Sequence, residues 1–288
     1  MMELIVNPTA GNGRAREICE AVIRKLEQRG IPHQLHTTDH PGHATEIARD
    51  AAARGIQTVI AFGGDGTVTE TAAGLIGTQT ALGVIPSGTG NDFIKTAGLP
   101  TKWEEALDFI LTHPARPIDT GRINDTFFIN ECGTGLDVMA LDYAKAAKKY
   151  CRGLLPYLYG VFRAILSFKP IEMHIEIDDQ VMDGRYMVCA IGNGRYLGGG
   201  IPITPCAELT NGKFEILVVD AVPRWVIPFY LVSLMKGTLY QKKRVAHPYQ
   251  ASRCLVRCKN MRLNLDGEIV PMEEARFTCM PGSLLLHW

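Results

Sequence analysis

The chain has 288 residues, of which 46% are hydrophobic and 21% are charged. These proportions are typical of a globular protein and exclude a disordered or fibrous one, and the length favours two domains. Thirty basic and thirty acidic side chains cancel to a formal net charge of zero. Because a protein that binds mainly nucleic acid would carry a broad basic field, we expect no nucleic-acid partner and only local anion sites.

The cysteines and the apolar segments exclude further classes. The eight cysteines form no CxxC pair and no cluster with histidine, which favours reduced, buried thiols over a metal or disulfide framework. Residues 154–168 and 225–235 are the most apolar segments, but a spanning helix needs about 20 apolar residues. The opening residues MMELIVNP lack a basic segment followed by a long apolar core, so we expect no cleaved secretory signal and a cytoplasmic protein.

The first 120 residues alternate between predicted strands and helices. Short apolar runs predict the strands, and apolar side chains four residues apart, as at Ile18, Val22 and Leu26, predict the helices. The predicted order is strand 4–6, helix 14–29, strand 35–37, helix 43–54, strand 58–62, helix 68–75, strand 81–85 and helix 103–111. This alternation predicts a doubly wound α/β domain with a parallel sheet, whose ligand loops follow the carboxyl ends of the strands.

Beyond residue 120 the pattern changes to closely spaced strands. They are predicted at 126–130, 172–177, 185–191, 214–219, 254–258, 261–265 and 276–280, with a helical segment at 137–169. Such spacing predicts an antiparallel β-sandwich. We therefore divide the chain into an α/β domain, residues 1–120, and a β-rich domain, residues 121–288, and leave open whether the last strand returns to the first domain.

Four glycine-rich turns are the candidate ligand loops. They are NPTAGNG at 7–13, GGDGT at 63–67, PSGTGND at 86–92 and GNG at 192–194. The first three follow predicted parallel strands and should meet at one edge of one sheet. Glycine lets backbone N–H groups approach phosphate oxygens, and helix N-termini favour anions, so this edge is predicted to be a nucleotide cleft. The chain has no GxxxxGK[ST] sequence, which excludes a P-loop enzyme.

Two carboxylates add chemistry to these turns. Asp65 lies among amides that would hold phosphates, and its charge there calls for a cation such as Mg²⁺, which bridges the phosphates in phosphoryl transfer. Glu268, in the sequence Asp266-Gly267-Glu268 after the predicted strand 261–265, is a candidate general base, because an alcohol acceptor needs a carboxylate to take its proton. Asp-Gly is also a common hairpin turn, and the residues alone favour that plainer interpretation.

In order and spacing, NPTAG, GGDGTVTE, PSGTGNDF, FINECGTGLD, GNGRYLGGG and LDGE resemble the bacterial diacylglycerol kinase family, which is related to sphingosine and ceramide kinases. GGDGT is shared with NAD kinases and phosphofructokinases, whereas PSGTGND and DGE narrow the resemblance to lipid kinases. It implies an enzyme that transfers the γ-phosphate of ATP to a lipid hydroxyl, with diacylglycerol as the favoured acceptor and phosphatidic acid as the product.

The resemblance also implies roles for residues. The first domain would bind ATP and the second would present the lipid. The catalytic residues would be Glu268 as base, Asp65 at the catalytic Mg²⁺, and Asp92, which with Asn91 completes the phosphate end of the cleft. The implied ATP-binding residues are Asn7, Pro8, Thr9, Ala10, Gly11, Thr38, Gly63, Gly64, Asp65, Gly66, Thr67, Val68, Thr69, Thr89 and Asn91.

Three positions depart from the family pattern. Thr69 stands where the family usually has asparagine, and Lys95 where it often has arginine, and neither change removes a carboxylate or a glycine. Relatives often bind a structural Mg²⁺ at an Asp-Gly turn, which here is Asn211-Gly212, with Glu208 and Lys213 at the carbonyl positions. Asparagine brings no charge, so we expect this second metal to be weak or absent.

A basic and apolar segment suits a membrane surface. Lys145, Lys148, Lys149 and Arg152 precede the apolar sequence LLPYLYGVFRAIL, which fits a headgroup interface or a core helix equally well. With Arg14 and Lys95, these residues predict peripheral and partly electrostatic membrane docking.

Other functions stay open alternatives. One is a soluble-substrate kinase similar to NAD kinase, which PSGTGND and DGE disfavour. Another is a catalytically silent nucleotide-binding regulator, which the retention of Asp65, Asp92 and Glu268 disfavours. The acceptor lipid and the oligomeric state, a homodimer included, are left undetermined.

Overall fold

The structure is a computed structural model that describes residues 1–147, 150 and 155–288. The chain forms two compact units. Unit 1 comprises Met1–Thr120 and Met280–Trp288, and unit 2 comprises Gly121–Cys279. The last strand therefore contributes to both units.

The elements follow one another as an α/β half and a β-rich half. The first half contains β1 (Met2–Val6), α1 (Arg14–Gln28), β2 (His33–Thr37), α2 (His43–Ala53), β3 (Thr58–Gly63), α3 (Asp65–Leu75), β4 (Ala81–Pro86), α4 (Asp92–Ala97) and α5 (Trp103–Thr112). The second contains β5 (Ala115–Ile123), β6 (Thr126–Phe128), β7 (Glu131–Gly135), α6 (Leu136–Ala147), α7 (Leu155–Ser167), β8 (Ile171–Ile177), β9 (Gln180–Gly192), β10 (Tyr196–Leu197), β11 (Ile201–Pro202), β12 (Phe214–Asp220), α8 (Ile227–Met235), β13 (Ala246–Ala251), β14 (Arg253–Leu265) and β15 (Glu268–His287).

Unit 1 contains a parallel sheet in the order β2-β1-β3-β4. The end of β15 adds a further parallel strand, because Leu285 pairs with Ala81 and Leu286 with Leu82 of β4. Every residue of β3 and β4 is buried, as expected for strands covered by helices on both faces. The predicted doubly wound α/β domain is confirmed.

The core of unit 1 explains how the helices cover the sheet. Val22 and Leu26 of α1 and Leu107 of α5 pack with Leu4 and Phe62 of the strands in one apolar cluster. α2 and α3 approach so closely that a Cβ on Gly74 would lie 2.5 Å from the Thr45 carbonyl oxygen. These contacts hold the strand ends that carry the glycine loops.

Unit 2 is built on two long antiparallel strands. β9 pairs with β8 along residues 180–186 and with β7 along residues 188–192. β14 pairs with the same two strands, with β8 at residues 254–258 and with β7 at residues 264–265. Inward side chains such as Phe128, Phe214 and Phe277 fill the core. The predicted antiparallel β-domain is confirmed.

Several predicted boundaries were wrong for local reasons. Strands 254–258 and 261–265 are a single strand, β14, whose register shifts between Arg257 and Met261, and Asn260 there has a φ of 53°. Strand 126–130 ends at Phe128, and strand 276–280 is only part of β15. α4 was missed because six residues are too few for a clear periodic signal, and β7 was missed because its sequence ECGTG contains two glycines, which weaken a strand prediction. β13 was missed because it contains a proline, which weakens a strand prediction.

The state of the cysteines and the length of the helices follow from the structure. Seven cysteines of the described residues are free thiols, and all but Cys206 are buried. Burial raises the pKa of Cys19 and Cys254 to about 12, so these thiols stay protonated and inert. Cys151 lies outside the described residues. Within the part of the chain that the structure describes, no helix has the length and apolar character needed to span a bilayer.

Candidate active site

Three glycine loops of unit 1 meet at the carboxyl edge of its sheet. The Asn7 amide donates a hydrogen bond of 3.2 Å to the Phe62 carbonyl, which joins the first loop to β3. The Ser87 and Gly88 amides donate to the Gly63 carbonyl at 3.0 and 3.2 Å. The convergence expected from the sequence is therefore present.

Glycine is required in these loops because their backbones touch. A Cβ on Gly88 would lie 2.3 Å from the Cα of Gly64, and a Cβ on Gly11 would lie 2.1 Å from the Ser87 carbonyl oxygen. Gly11 also has a φ of +59°, a conformation that glycine adopts without strain. The close approach leaves the loop amides free of side chains, as an anion-binding cradle requires.

Asp65 is the first residue of α3, and not part of a turn before the helix as the sequence suggested. Gly64 is the N-cap, with φ −93° and ψ −169°, and provides no capping side chain. The Asp65 carboxylate accepts a hydrogen bond of 3.2 Å from the Phe93 amide, which joins the second loop to α4. A carboxylate in the first turn is stabilised by the helix dipole, and the same dipole favours a bound phosphate.

The third loop leads into α4 and carries two buried polar atoms that face no partner within the described part of the chain. Asn91 caps α4 with a φ of 52° and donates from Nδ2 to the Gly88 carbonyl at 3.0 Å. Its Oδ1 and the Ser87 hydroxyl are buried, and neither has a hydrogen-bond partner among the described residues. Buried polar atoms of this kind are expected where a ligand or water completes the bonding. Asp92 is 5% exposed, and its carboxylate lies 3.5 Å from Lys95 Nζ.

Other residues predicted to bind ATP have different local roles. Asn7 Oδ1 accepts hydrogen bonds from the Thr9 amide and hydroxyl at 3.1 and 2.8 Å. The Thr38 amide donates to the Val6 carbonyl at 3.0 Å, which places Thr38 directly after β2 at the same edge of the sheet. The Val68 side chain is 1% exposed and belongs to the core, so only its backbone could take part. Pro8, Ala10 and Thr69 are partly exposed, and Thr89 is exposed.

In unit 2, Asp266-Gly267 forms the tight hairpin that the sequence suggested. Leu265 pairs with Glu268, and both turn residues have positive φ, 47° at Asp266 and 94° at Gly267, as in a type I′ turn. The Asp266 carboxylate accepts bonds from the amides of Ile129, Asn130 and Glu131, at 2.9, 3.1 and 2.8 Å. Asp266 therefore holds the segment that enters β7, whereas Glu268 is exposed at the start of β15.

Two further buried carboxylates of unit 2 were not assigned from the sequence. A Cβ on Gly133 would lie 2.9 Å from both Glu131 Oε1 and Asp137 Oδ2, so the two acids flank this glycine. Burial raises the pKa of the Asp137 carboxyl to about 6, because a charged carboxylate loses hydration there. The motif FINECGTGLD contains Glu131, Gly133 and Asp137, and it is the sequence feature from which these carboxylates could have been identified.

The structure describes the predicted structural metal site in full and the predicted docking segment only in part. Asn211 Oδ1 accepts a hydrogen bond of 2.9 Å from the Lys213 amide, and Glu208, Asn211 and Lys213 are exposed. The second Mg²⁺ stays a prediction. Arg14, Lys95 and Lys145 are exposed, whereas Lys148, Lys149 and Arg152 lie outside the described residues.

A parallel sheet with glycine loops at its carboxyl edge, and acidic residues beside them, is the arrangement by which open α/β domains bind phosphate-containing ligands. Residues 1–123 match the family model described as the diacylglycerol kinase catalytic domain. Residues 130–287 match the model described as the YegS C-terminal NAD kinase beta sandwich-like domain. The chain belongs to the diacylglycerol kinase family, and it is a lipid kinase that acts on a hydroxyl group. The resemblance inferred from the motifs is confirmed.

Known proteins support this assignment over the whole chain. A protein of Bacillus subtilis (strain 168) named diacylglycerol kinase is 33% identical over 281 residues, which cover 95% of this chain and 91% of the relative. A Chromohalobacter salexigens protein named a probable lipid kinase YegS-like is 30% identical, covering 96% and 90%. The solved structure of a proposed diacylglycerol kinase from Bacillus anthracis (strain Sterne) has a TM-score of 0.81 at 26% identity, covering 100% and 96%.

Proposed function

We propose that this kinase uses Mg²⁺ and ATP to phosphorylate diacylglycerol, giving phosphatidic acid at a membrane surface. The observation that carries the proposal is the cradle in unit 1, where loops around Gly11, Gly64 and Gly88 meet at a helix N-terminus. Asn91 Oδ1 and the Ser87 hydroxyl are buried there without a hydrogen-bond partner in residues 1–147, 150 and 155–288, which fits a polyphosphate ligand. Diacylglycerol is chosen as acceptor because curated relatives spanning almost the whole chain carry that name.

In this proposal, separate groups of residues bind the phosphates, hold the metal ion and accept the proton. The loop amides and the α3 N-terminus bind the phosphates, and Asp65 and Asp92 provide carboxylate oxygens, which are the ligands that Mg²⁺ prefers. Bound Mg²⁺ would neutralise phosphate charge during transfer. Glu268 accepts the proton of the lipid hydroxyl as its oxygen bonds to the γ-phosphorus and the bond from that phosphorus to ADP breaks.

The local structure is compatible with a base at Glu268. The plainer interpretation of Asp266-Gly267-Glu268 is a hairpin turn. It is correct for Asp266 and Gly267, because these two residues form the turn and the Asp266 carboxylate binds three backbone amides. Glu268 takes no part in that network and is exposed. The turn thus presents a carboxylate whose removal should leave the hairpin intact, and this makes the proposed role testable.

The test is transfer of radiolabelled phosphate from ATP to a panel of acceptors. The panel contains diacylglycerol, a sphingoid base, a prenol and NAD, each with and without Mg²⁺, and each product is identified by chromatography. We expect labelled phosphatidic acid and no labelled NAD, with loss of product when Mg²⁺ is chelated. Labelling of another lipid alone would reject diacylglycerol as the substrate, and labelling of NAD alone would support the soluble-substrate alternative.

Two variants separate nucleotide binding from transfer. Asp65→Ala should fold normally but lose most turnover. Glu268→Gln keeps the size of the side chain but cannot accept a proton, so its rate should fall by a factor on the order of 10² to 10⁴ while ATP binding is unchanged. More than about a tenth of parental activity in Glu268→Gln would make Asp92 the better candidate for the base.

A further inference from the structure

Unit 2 exposes an apolar helix face that its own core does not cover. The helix is α8, preceded by a 3-10 turn at Arg224–Val226. Trp225, Phe229 and Val232, spaced four and three residues apart, are 75%, 72% and 55% exposed. Side chains at this spacing lie on one side of a helix. A large exposed apolar strip is unusual on a protein surface and marks a site of interaction.

The other side of α8 fixes the helix to unit 2. Ile227 is 7% exposed and belongs to an apolar cluster with strand residues such as Leu217, and Tyr230 and Leu234 pack against the same cluster. The helix is therefore anchored on one side, and the orientation of its exposed strip is set by the fold. Because α8 is already ordered in the folded unit, binding through these three side chains does not require the helix to lose backbone conformational entropy.

The chain around α8 is basic in a protein that is neutral overall. Residues 221–265 contain nine lysine and arginine residues and no aspartate or glutamate. Four of these cations, Lys236, Lys242, Lys243 and Arg244, follow the exposed strip and are themselves exposed. Positive charge is therefore concentrated near the apolar side chains, although the formal net charge of the whole chain is zero.

Local structure holds these cations close to the C-terminal end of α8. Gly237 reverses the chain after the helix with a φ of 65°, and the 3-10 turn Leu239–Gln241 packs against α8. The Lys242 amide donates to the Leu239 carbonyl at 2.9 Å, so the basic run starts directly at this turn. Cations at the C-terminal end of a helix are also favoured by its dipole.

We propose that α8 and the basic segment 236–244 dock unit 2 on the surface of an anionic phospholipid bilayer. An apolar strip that includes tryptophan, flanked by lysine and arginine, is the composition of a helix that lies in the membrane interface. Anionic lipid is favoured over a second copy of the chain, because two facing copies of this surface would oppose their own cations. The proposal deepens the proposed function, since a lipid acceptor must be reached at a membrane, but the binding itself needs no catalysis.

The test measures binding to vesicles that contain neither diacylglycerol nor ATP. The parent should co-sediment with vesicles of equal phosphatidylcholine and phosphatidylglycerol, and weakly with phosphatidylcholine alone. Each cation near an anionic surface strengthens binding about fivefold, so Lys242→Ala with Lys243→Ala and Arg244→Ala should weaken it about a hundredfold. Phe229→Ser with Val232→Ser should weaken it at least about tenfold, because two apolar side chains lose burial.

A matched control is Val181→Ser, because Val181 is 62% exposed in unit 2 and lies outside α8. It should bind vesicles like the parent. Trp225 gives a direct signal, since its emission should shift to the blue with vesicles and the shift should disappear in Trp225→Phe. The α8 variants should keep parental kinase activity on diacylglycerol dispersed in detergent.

Two outcomes would overturn the inference. One is vesicle binding by the Phe229→Ser, Val232→Ser protein as strong as that of Val181→Ser. The other is a parent that is a dimer and an α8 variant that is a monomer with unchanged vesicle binding, which would show that the strip covers a second copy. If the proposed function is wrong, the result is different: the parent should still bind vesicles, but neither the parent nor the variants should form phosphatidic acid.

Discussion

Replacing Gly88 by alanine should distort the cradle of unit 1, formed by the loops around Gly11, Gly64 and Gly88, without removing any polar or charged group. The added Cβ would lie 2.3 Å from the Cα of Gly64, whereas ordinary contact begins at 3.4 Å, so the two loops must separate by about 1 Å. The Gly64 Cα belongs to the backbone, and the new Cβ is bonded directly to the Gly88 Cα, so neither atom can rotate away. Overpacking of this kind costs about 1 to 3 kcal/mol of folding stability, and a misplacement of about 1 Å can reduce turnover by a factor on the order of 10².

The assays are calorimetric unfolding, ATP binding by titration calorimetry, and lipid phosphorylation. Gly88→Ala should lower the Tm by several degrees, at about 2 to 4 °C for each kcal/mol, and should weaken ATP binding. Gly66→Ala is the matched control for the unfolding measurement, because a Cβ on Gly66 meets nothing within 4 Å and alanine favours a helix by up to about 1 kcal/mol over glycine. A Gly88→Ala protein with parental Tm and parental ATP affinity would refute the argument from close backbone approach.

Three further predictions concern unit 2. Asp266→Ala should lower the free energy of unfolding by about 3 kcal/mol or more, since three backbone amides lose their acceptor, whereas Glu268→Gln should unfold like the parent; equal losses in both would contradict separate roles. Because burial raises the pKa of Asp137 to about 6, the folded state keeps a proton that the unfolded chain releases above about pH 4. The parent should therefore lose up to about 3 kcal/mol relative to Asp137→Asn between pH 4 and 6, and parallel Tm profiles from pH 4 to 8 would show that this carboxyl titrates normally. Asn211→Asp adds a negative charge at the turn, so Mg²⁺ should raise the Tm of this variant more than that of the parent. A variant Tm that does not change with Mg²⁺ would contradict a second metal site.

The sequence by itself determined the two-part architecture and the positions of the candidate loops. Apolar runs and four-residue periodicity are local signals, and they identified β1, β3, β4 and α1 because each element buries one continuous face or run. Glycines that end parallel strands must lie at one sheet edge, so the meeting of the Gly11, Gly64 and Gly88 loops followed from order alone. The Asp266-Gly267 turn was equally readable, since its positive φ values favour those two residues.

Tertiary structure decided the features whose causes lie far away in the chain. Leu285 pairs with Ala81 across about two hundred positions, and such pairing leaves no local pattern. Asp65 accepts a hydrogen bond from the Phe93 amide of α4, and the Asp137 carboxyl is buried beside Gly133, because separate elements meet at these residues in the fold. The sequence IPFYLVSLM of α8 is apolar on every side, so periodicity could not show which face packs and which is exposed. Only the folded unit, which buries Ile227 and leaves Phe229 in solvent, made that distinction.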